Sequence, residues 1–501
     1  MSQLFSFTSL ITCNHLSHIY PPTSPSNASS SLRIYYSLSV KIQLIRHYGP
    51  YIFTEAKSPV HRKNKNDRLL SRIHNKWYDL TTFEHPGGPI ALSLIHQRDG
   101  TALFESHHPF MKREKLMKIL SKYEISKGEE NERGCTLMDP RDNGYYTWEG
   151  IENDKFVSDL KELLNNYFSS IAKKRGVTIN QAAKATPARW MLILSLMASF
   201  VGTLPWYIHG NWALLVVTPV LAWVTGSNYW HDGLHFSLST DWRINAWLPY
   251  LFPFICSPWM WYHEHVIGHH AYPNVEHKDP DLAHAPQLMR EHPSIKWKPT
   301  HVGQAQWHRV LFVWSVAVGV GLSLLNDMKT NRKLSYNNVV PCSSLSRPRI
   351  TAHILGRVVY ISLMHIWPFF VLPLWKAVIW ATLPGIIFSV CFMVNTQINH
   401  LTNTCAHASD NTNFYKHQVV TAQNFGTDSL FCYYFSGGLN YQIEHHLFPN
   451  VNHCHLPELA KSVRRICERH GVPYHHAAGY RDAMERHLAH TVEMEKEPAN
   501  E

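Results

Sequence analysis

The chain has 501 residues, 45% of them apolar and only 17% charged, with a formal net charge of +10 and a slightly negative mean hydropathy. Such a length exceeds one small domain, and apolar stretches concentrated between polar parts suit a membrane protein better than a uniform soluble core. Nine scattered cysteines with no C-x-x-C pair exclude a zinc-finger or disulfide scaffold and fit a reducing, cytosol-facing setting.

From Met1 to Thr54 there is no Asp or Glu, Ser is abundant and prolines interrupt any helix, the composition of a targeting segment or a disordered extension. Residues 55–138 are charged and mixed, with Trp77, Tyr78, Leu80, Phe83 and Phe104 as candidate core positions of a small soluble domain. A linker, 139–189, follows. Within it Phe156, Leu160, Leu163, Leu164, Tyr167 and Phe168 recur at helical spacing, which predicts an amphipathic helix leading toward a bilayer.

A larger unit, 190–480, holds the long apolar runs, and 481–501 is set apart as a tail. Trp190 to Ile208 and Trp212 to Trp230 each approach the length needed to cross a hydrocarbon core of about 30 Å, and only His209, Gly210 and Asn211 separate them. They read as a helical hairpin. Asn245 to Trp261 is short and broken by Pro249, Pro253 and Pro258, so it reads as re-entrant or interfacial. Val310 to Leu325, His353 to Leu372 and Trp375 to Asn395 are the later runs.

Lys173, Lys174, Arg175, Lys184 and Arg189 precede the first run, and Lys329, Arg332, Lys333, Arg347 and Arg349 precede a later one. Basic clusters beside apolar segments are the positive-inside pattern, so the net charge is read as membrane-related and no nucleic-acid partner is expected. No repeat of solenoid or propeller period is visible.

The first stretch with a chemical signature is "WYDLTTFEHPGGPIALSLIHQRDGTALFESHH". It resembles cytochrome b5, whose heme iron is held by two axial histidines. The resemblance assigns one ligand to His85 in the HPGG turn and the other to His108, with His107 as the alternative. Gly87 and Gly88 would let backbone pass close to a porphyrin edge. Bis-histidine ligation leaves no open iron position and suits electron transfer. Arg68 and Arg72 stand where the family has a more apolar strand.

Thirty-five histidines are the other signature. "HDGLH" places His231 and His235 one helical turn apart, "HVIGHH" contains His265, His269 and His270, and "QIEHH" contains Gln442, His445 and His446. Neutral imidazoles one turn apart are an economical way to build a nitrogen-rich metal site from helices.

These arrays resemble the three histidine boxes of membrane fatty-acid desaturases. Gln442 at the head of the third resembles the front-end subgroup, whose members also carry an N-terminal cytochrome b5 domain. The resemblance runs from about residue 60 to about residue 478, through "HHAYPNVEHKDPDL", "GGLNYQIEHHLFP" and "CERHGVPYHH". It implies two non-heme irons held by His231, His235, His265, His269, His270, His445 and His446, completed by His400, or by His407 as second choice. Gln442 is a further candidate ligand or hydrogen-bond donor. Asp232, Asp279, Asp281 and Glu444 are candidates for holding histidines in place.

The fold expected from this resemblance is a small α+β cytochrome b5-like domain fused to an all-α integral membrane domain, with four transmembrane helices and a cytosolic histidine-rich cap. Requiring the arrays to meet on one side makes the last two runs a second hairpin. Val310 to Leu325 is then interfacial, with a helix packed against protein as the alternative.

The implied reaction removes two hydrogens from adjacent methylenes of a long-chain acyl-CoA or acyl-lipid, using O2 and electrons from NADH through a separate cytochrome b5 reductase, since no nucleotide-binding fingerprint is evident. Delta-5 placement is favoured over delta-6. The membrane is expected to be the endoplasmic reticulum, with a plastid as alternative. Sphingoid-base desaturation, acyl hydroxylation and, outside enzymes, a membrane protein holding heme and zinc are the competing readings.

Overall fold

A computed structural model describes residues 68–498 apart from 140–141, 143, 252–257, 284, 322–323, 344–346, 406 and 408–412. The N-terminal targeting or extension segment, and the middle of the Pro-broken run at 245–261, therefore lie outside the described residues.

Near the N-terminus, β1 (Leu70–Ile73) and β2 (Lys76–Asp79) pair antiparallel. His74 and Asn75 connect them at φ 48° and 62°, the left-handed pair whose twist matches that of a hairpin. Tyr78, Leu80 and Phe104 are buried with Leu69, Ile73 and Leu92, while Phe83 packs partly buried against them. Helices α1 (Gly88–Leu94) and α2 (Thr101–His107) cover this hairpin. Arg72 is accommodated within the strand by Asp99 at 2.9 Å and by the Asp142 carbonyl at 2.7 Å. A partly buried ion pair thus takes the place of an apolar side chain.

The amphipathic pattern becomes α3 (Lys155–Arg175), capped by Asp154, whose carboxylate accepts from Phe156 N at 2.8 Å. Its stripe of Phe156, Leu160, Leu164 and Phe168 is fully buried in a core shared with residues of the 456–469 region. The stripe thus faces protein, because a later helix returns to cover it, and the helix leads toward the first long apolar run as expected.

Helix α4 (Pro187–Ile208) and helix α5 (Trp212–Thr225) form the first hairpin. The loop is as short as the sequence suggests. Helix α6 (Trp307–Gly321) follows, then α7 (Arg347–Ile361) and α8 (Leu374–Gln397). Two of these, α4 with 22 residues and α8 with 24, are unbroken and apolar enough to cross a membrane. They would span about 33 and 36 Å at 1.5 Å per residue.

Of the four transmembrane helices expected, these two are the ones long and apolar enough among the described residues. The run after Trp212 passes through a π turn at Gly226–Trp230, and the run after Arg347 through another at Ser362–Ile366. An extra residue in a helical turn leaves hydropathy unchanged, so the sequence pattern is blind to it. The Val310 to Leu325 run is α6, which packs Val310, Val313 and Trp314 inward along α8 and leaves Leu311 and Phe312 exposed. One face of it packs against protein, as the alternative expected, while the other carries exposed apolar side chains.

Short strands close the polar side. β3 (Ser335–Tyr336) and β4 (Val340–Pro341) form a hairpin, and β5 (Gln423–Phe425) pairs parallel with β6 (His475–Ala477). Helix α9 (Gln442–Leu447) carries the third array, and α10 (Leu456–Arg469) lies against α3. Residues set apart as a tail fold as α11 (Tyr480–Met494), where the His487 ring bonds the Leu401 carbonyl at 2.7 Å.

Candidate metal centre

The histidine arrays converge on two adjoining buried groups. His231, His235, His265, His270 and His445 place one ring nitrogen each within 4.8 Å of one another, and so do His269, His400 and His446. The arrays are thus divided between the groups. On an α-helix, residues five apart diverge by about 140°. His265 and His270 nevertheless share a group, because they lie on a π turn in which His270 N bonds the His265 carbonyl at 2.7 Å. His269 is thereby released toward His400. The helical spacing in the sequence favoured pairing His265 with His269.

Both groups fit transition-metal ions. His231 Nε2 lies 2.9 Å from His265 Nε2, which is 3.1 Å from His270 Nε2, and His269 Nε2 lies 3.2 Å from His400 Nε2. Nitrogens at adjacent corners around a metal with bonds of about 2.1 Å would be about 3.0 Å apart. Both His235 ring nitrogens, and Nε2 of His445 and His446, are buried without a hydrogen-bond partner. Such unpaired groups are costly unless something they coordinate satisfies them. Burial also pushes His265, His270, His445 and His446 well below the ordinary histidine range, and His400 down to about 3. The rings are held as neutral donors.

Outward-facing nitrogens are fixed by oxygens. His269 Nδ1 meets Asp279 at 3.1 Å, His400 Nδ1 the Thr421 carbonyl at 2.8 Å, and His446 Nδ1 the Gln418 amide oxygen at 3.0 Å. Each leaves Nε2 as the inward lone pair. Burial alone would raise the Asp279 carboxyl, but His269 beside it and the backbone N–H groups of Asn274 and Asp281 keep it below its ordinary range. Asp281 also approaches His269 Nδ1, at 3.4 Å.

Other expected partners sit elsewhere. Glu444 turns away from the histidines to accept from Asn424 at 2.7 Å and Tyr474 at 2.9 Å, since its neighbour on a helix projects about 100° away. Asp232 touches none of the arrays' rings and meets Arg189 and Asn452 instead. His407, the second choice for the last ligand, is exposed beside His292, with ring centroids 5.0 Å apart, and away from both groups. Gln442 places its amide nitrogen 2.9 Å from His400 Nε2, with its oxygen accepting from Asn399 at 3.2 Å. Turning that amide would direct its oxygen toward the three-histidine group.

A narrow pocket is lined by residues of both groups, among them His231, His265, His269 and His400. Trp223, Trp230, Trp261 and Phe392 belong to its apolar lining, and Glu264, Asp281, Asn399 and Gln442 to its polar lining beside the histidines. Trp223 is pinned by a hydrogen bond to the Phe435 carbonyl at 2.8 Å and meets Phe392 edge-on at 5.9 Å.

In the N-terminal domain, the His85 and His108 rings lie 5.8 Å apart and nearly perpendicular. Two imidazoles on opposite sides of one metal would have centroids about 6 Å apart. His108 Nδ1 donates to the Phe104 carbonyl at 2.7 Å, which frees Nε2, and Gly87 N donates to His85 Nδ1 at 2.9 Å. His107 instead turns its Nδ1 to the Leu103 carbonyl at 3.1 Å. Burial, and then His108, push His85 down to about 4.

This domain is docked on the histidine-rich side. Gly88 has φ 81°, and a Cβ there would lie 2.3 Å from the Trp242 ring, so this glycine is needed for close approach to another part of the chain. Contact with Trp242 thus requires glycine at this position in addition to the porphyrin-edge role expected for it. Asn450 Nδ2 donates to the His107 carbonyl at 2.8 Å, and the Arg98 guanidinium donates to the Pro341 carbonyl. Glu105 meets Lys161 at 3.2 Å and Tyr415 at 3.3 Å. No local sequence signal marks Asn450, Trp242 or Gln418 for these places.

A family model for fatty acid desaturases matches residues 205–478, and one for the cytochrome b5-like heme/steroid binding domain matches residues 56–128. Among curated proteins, the Delta(5) fatty acid desaturase A of Dictyostelium discoideum is 23% identical over 462 residues, covering 88% of this chain and 94% of the relative. An acyl-lipid (8-3)-desaturase of Mortierella alpina is 27% identical over 466 residues, covering 87% and 96%. An acyl-lipid (7-3)-desaturase of Rebecca salina is 26% identical over 471 residues, covering 87% and 93%.

Proposed function

Because this chain belongs to the fatty acid desaturase family and carries a cytochrome b5-like domain ahead of the family's segment, we propose that it is a front-end acyl desaturase. It would insert a cis double bond between an existing one and the carboxyl end of a long-chain polyunsaturated acyl lipid, with delta-5 placement favoured over delta-6. The observation that carries this is the pair of adjoining histidine groups lining a narrow pocket with apolar side chains. The names of the relatives support the acyl-lipid carrier and the placement.

His231, His235, His265, His270 and His445 would hold one iron, and His269, His400 and His446, with Gln442 beside them, the other. His85 and His108 would hold the heme. Iron with O2 supplies an oxidant strong enough for unactivated methylenes, which no side chain can provide. The balance is one –CH2–CH2– unit, O2, two electrons and two protons giving –CH=CH– and two waters. Electrons would come from NADH through a separate reductase.

The chain's own residues provide placement. Asp279, Thr421 and Gln418 orient three rings from outside. Trp223, Trp230 and Trp261 form a lining that keeps water from a bound acyl chain and presents one methylene pair to the histidines. Docking of the heme domain sets His107, the neighbour of His108, against Asn450, four residues beyond His446.

We read four helical crossings, counting the two with π turns, with both cofactor sites on the cytosolic face of the endoplasmic reticulum. Trp206, Trp212, Trp367 and Trp375 are exposed at the opposite helix ends, as in an interfacial aromatic belt. Expression in a host without polyunsaturated lipids, with fed precursors and double-bond mapping, tests the whole reading. A new delta-5 bond with the wild type and none with His231→Ala is expected. Identical lipid profiles for the two would overturn it.

A further inference from the structure

Outside every histidine array, His453 lies at the start of the short turn His453–His455 and is 1% exposed. Its ring is fixed against Gly438, where an added Cβ would come within 2.8 Å of His453 Cβ. Its Nδ1 lies 2.8 Å from the Gly437 carbonyl, and Asp232 Oδ1 is 3.1 Å from the same nitrogen, off the hydrogen-bond axis. Both neighbours are oxygens that only accept, so Nδ1 carries the proton. Its Nε2 lies 3.1 Å from His445 Nδ1.

We propose that His453 is a positioning residue that sets the tautomer and direction of His445 in the five-histidine group. With Nδ1 donating, the neutral His453 ring offers Nε2 as an acceptor. His445 Nδ1–H then donates to it, and His445 keeps its lone pair on Nε2. That atom is buried, has no partner and belongs to a ring in the five-histidine group.

The outer end of this chain is anchored by charge. Asp232 Oδ2 accepts from Arg189 at 3.2 Å and from Asn452 at 2.9 Å, and Arg189 also donates to the Gly437 carbonyl at 3.2 Å. Arg189 starts α4, Asp232 follows His231, and His453 follows the third array, so one buried chain ties three distant segments to one ligand. The other outward nitrogens with fixed partners, on His269, His400 and His446, use a carboxylate, a carbonyl or an amide oxygen. His445 is held by a second imidazole, whose own tautomer has to be set first.

The inference rests on the five-histidine group being an iron site, and its test separates the two. Asn at 453 can keep a polar atom at the Nδ1 position and Gln one at the Nε2 position. The full chain, purified in detergent, is assayed for non-heme iron per heme during challenge with an iron chelator. His453→Asn and His453→Ala are expected to lose iron ten- to a hundredfold more readily, as for other orienting partners. His453→Gln, which can still accept from His445, is expected to stay within about threefold of wild type, with heme per chain unchanged in all three.

Equal retention by Asn and Gln variants would overturn the proposal. So would equal loss, which would make the ring a packing element. A wild type that binds no non-heme iron would instead refute the desaturase reading of the site and this inference with it.

Discussion

Glu105→Gln should loosen the docking of the heme domain on the membrane domain. Glu105 sits on α2 and meets His74 at 2.9 Å and Arg113 at 2.5 Å within its own domain, then Lys161 on α3 and Tyr415 beyond the last span. Burial alone would raise its carboxyl, but His74, Lys161 and Arg113 hold it at about 2 instead of 4.5. Such a depression corresponds to about 3 kcal/mol favouring the charged form in the folded chain, of which Lys161 supplies the part that crosses to the membrane domain. The folded pKa is the lower one, so this stabilisation is full above about 4.5 and is lost as pH falls from there toward about 2.

At neutral pH the glutamine cannot neutralise Lys161 and Arg113, and about 1–3 kcal/mol should be lost, the part belonging to docking being that of Lys161 and Tyr415 and reduced by the partial exposure of Lys161. Hydrogen exchange is the assay. Residues 101–107, 155–165 and 414–420 should exchange on the order of five- to a hundredfold faster, while those of α8 stay protected. Unchanged exchange in all three segments would show that Glu105 is not a clamp between the domains.

Four shorter predictions follow from the same geometry. His108→Ala should abolish the bis-imidazole heme spectrum and His107→Ala should keep it, read by absorbance of the purified chain; the reverse would exchange the ligand assignment. His270→Ala should lose non-heme iron and desaturation, whereas His407→Ala should stay within about twofold of wild type, since only the former belongs to the five-histidine group. Gly88→Ala should push Trp242 away and cost about 1–2 kcal/mol for strain at φ 81°. Adding Trp242→Ala should restore docking only in part, as measured by hydrogen exchange. Trp223→Ala should enlarge the pocket on its apolar side and shift the product profile toward longer or differently placed chains, at a stability cost of about 3–5 kcal/mol; an unchanged profile would remove Trp223 from the acyl path.

The resemblance to front-end desaturases was already legible because its motifs are local. The HPGG turn, the three arrays and the long apolar runs each occupy a few consecutive residues, and four-residue spacing alone puts His231 and His235 on one helical face. His400, which the resemblance implied as the completing residue, lies with His269 and His446.

What the sequence by itself determined about this protein is therefore its inventory: which side chains could bind metal, which stretches are apolar enough for a membrane, and which turn could hold heme. Tertiary structure decided how that inventory is shared out. A π turn sends His269 to one group and His270 to the other, because closing a hydrogen bond five residues back rotates the helix face without altering composition. Glu444 faces Tyr474, α3 is covered by α10, and His453 reaches His445, each through contacts set by packing that no local periodicity encodes. Gly88 shows the same limit in one residue. Its place in the turn was readable, but the further need for glycine set by Trp242, more than a hundred residues away in the chain, was not.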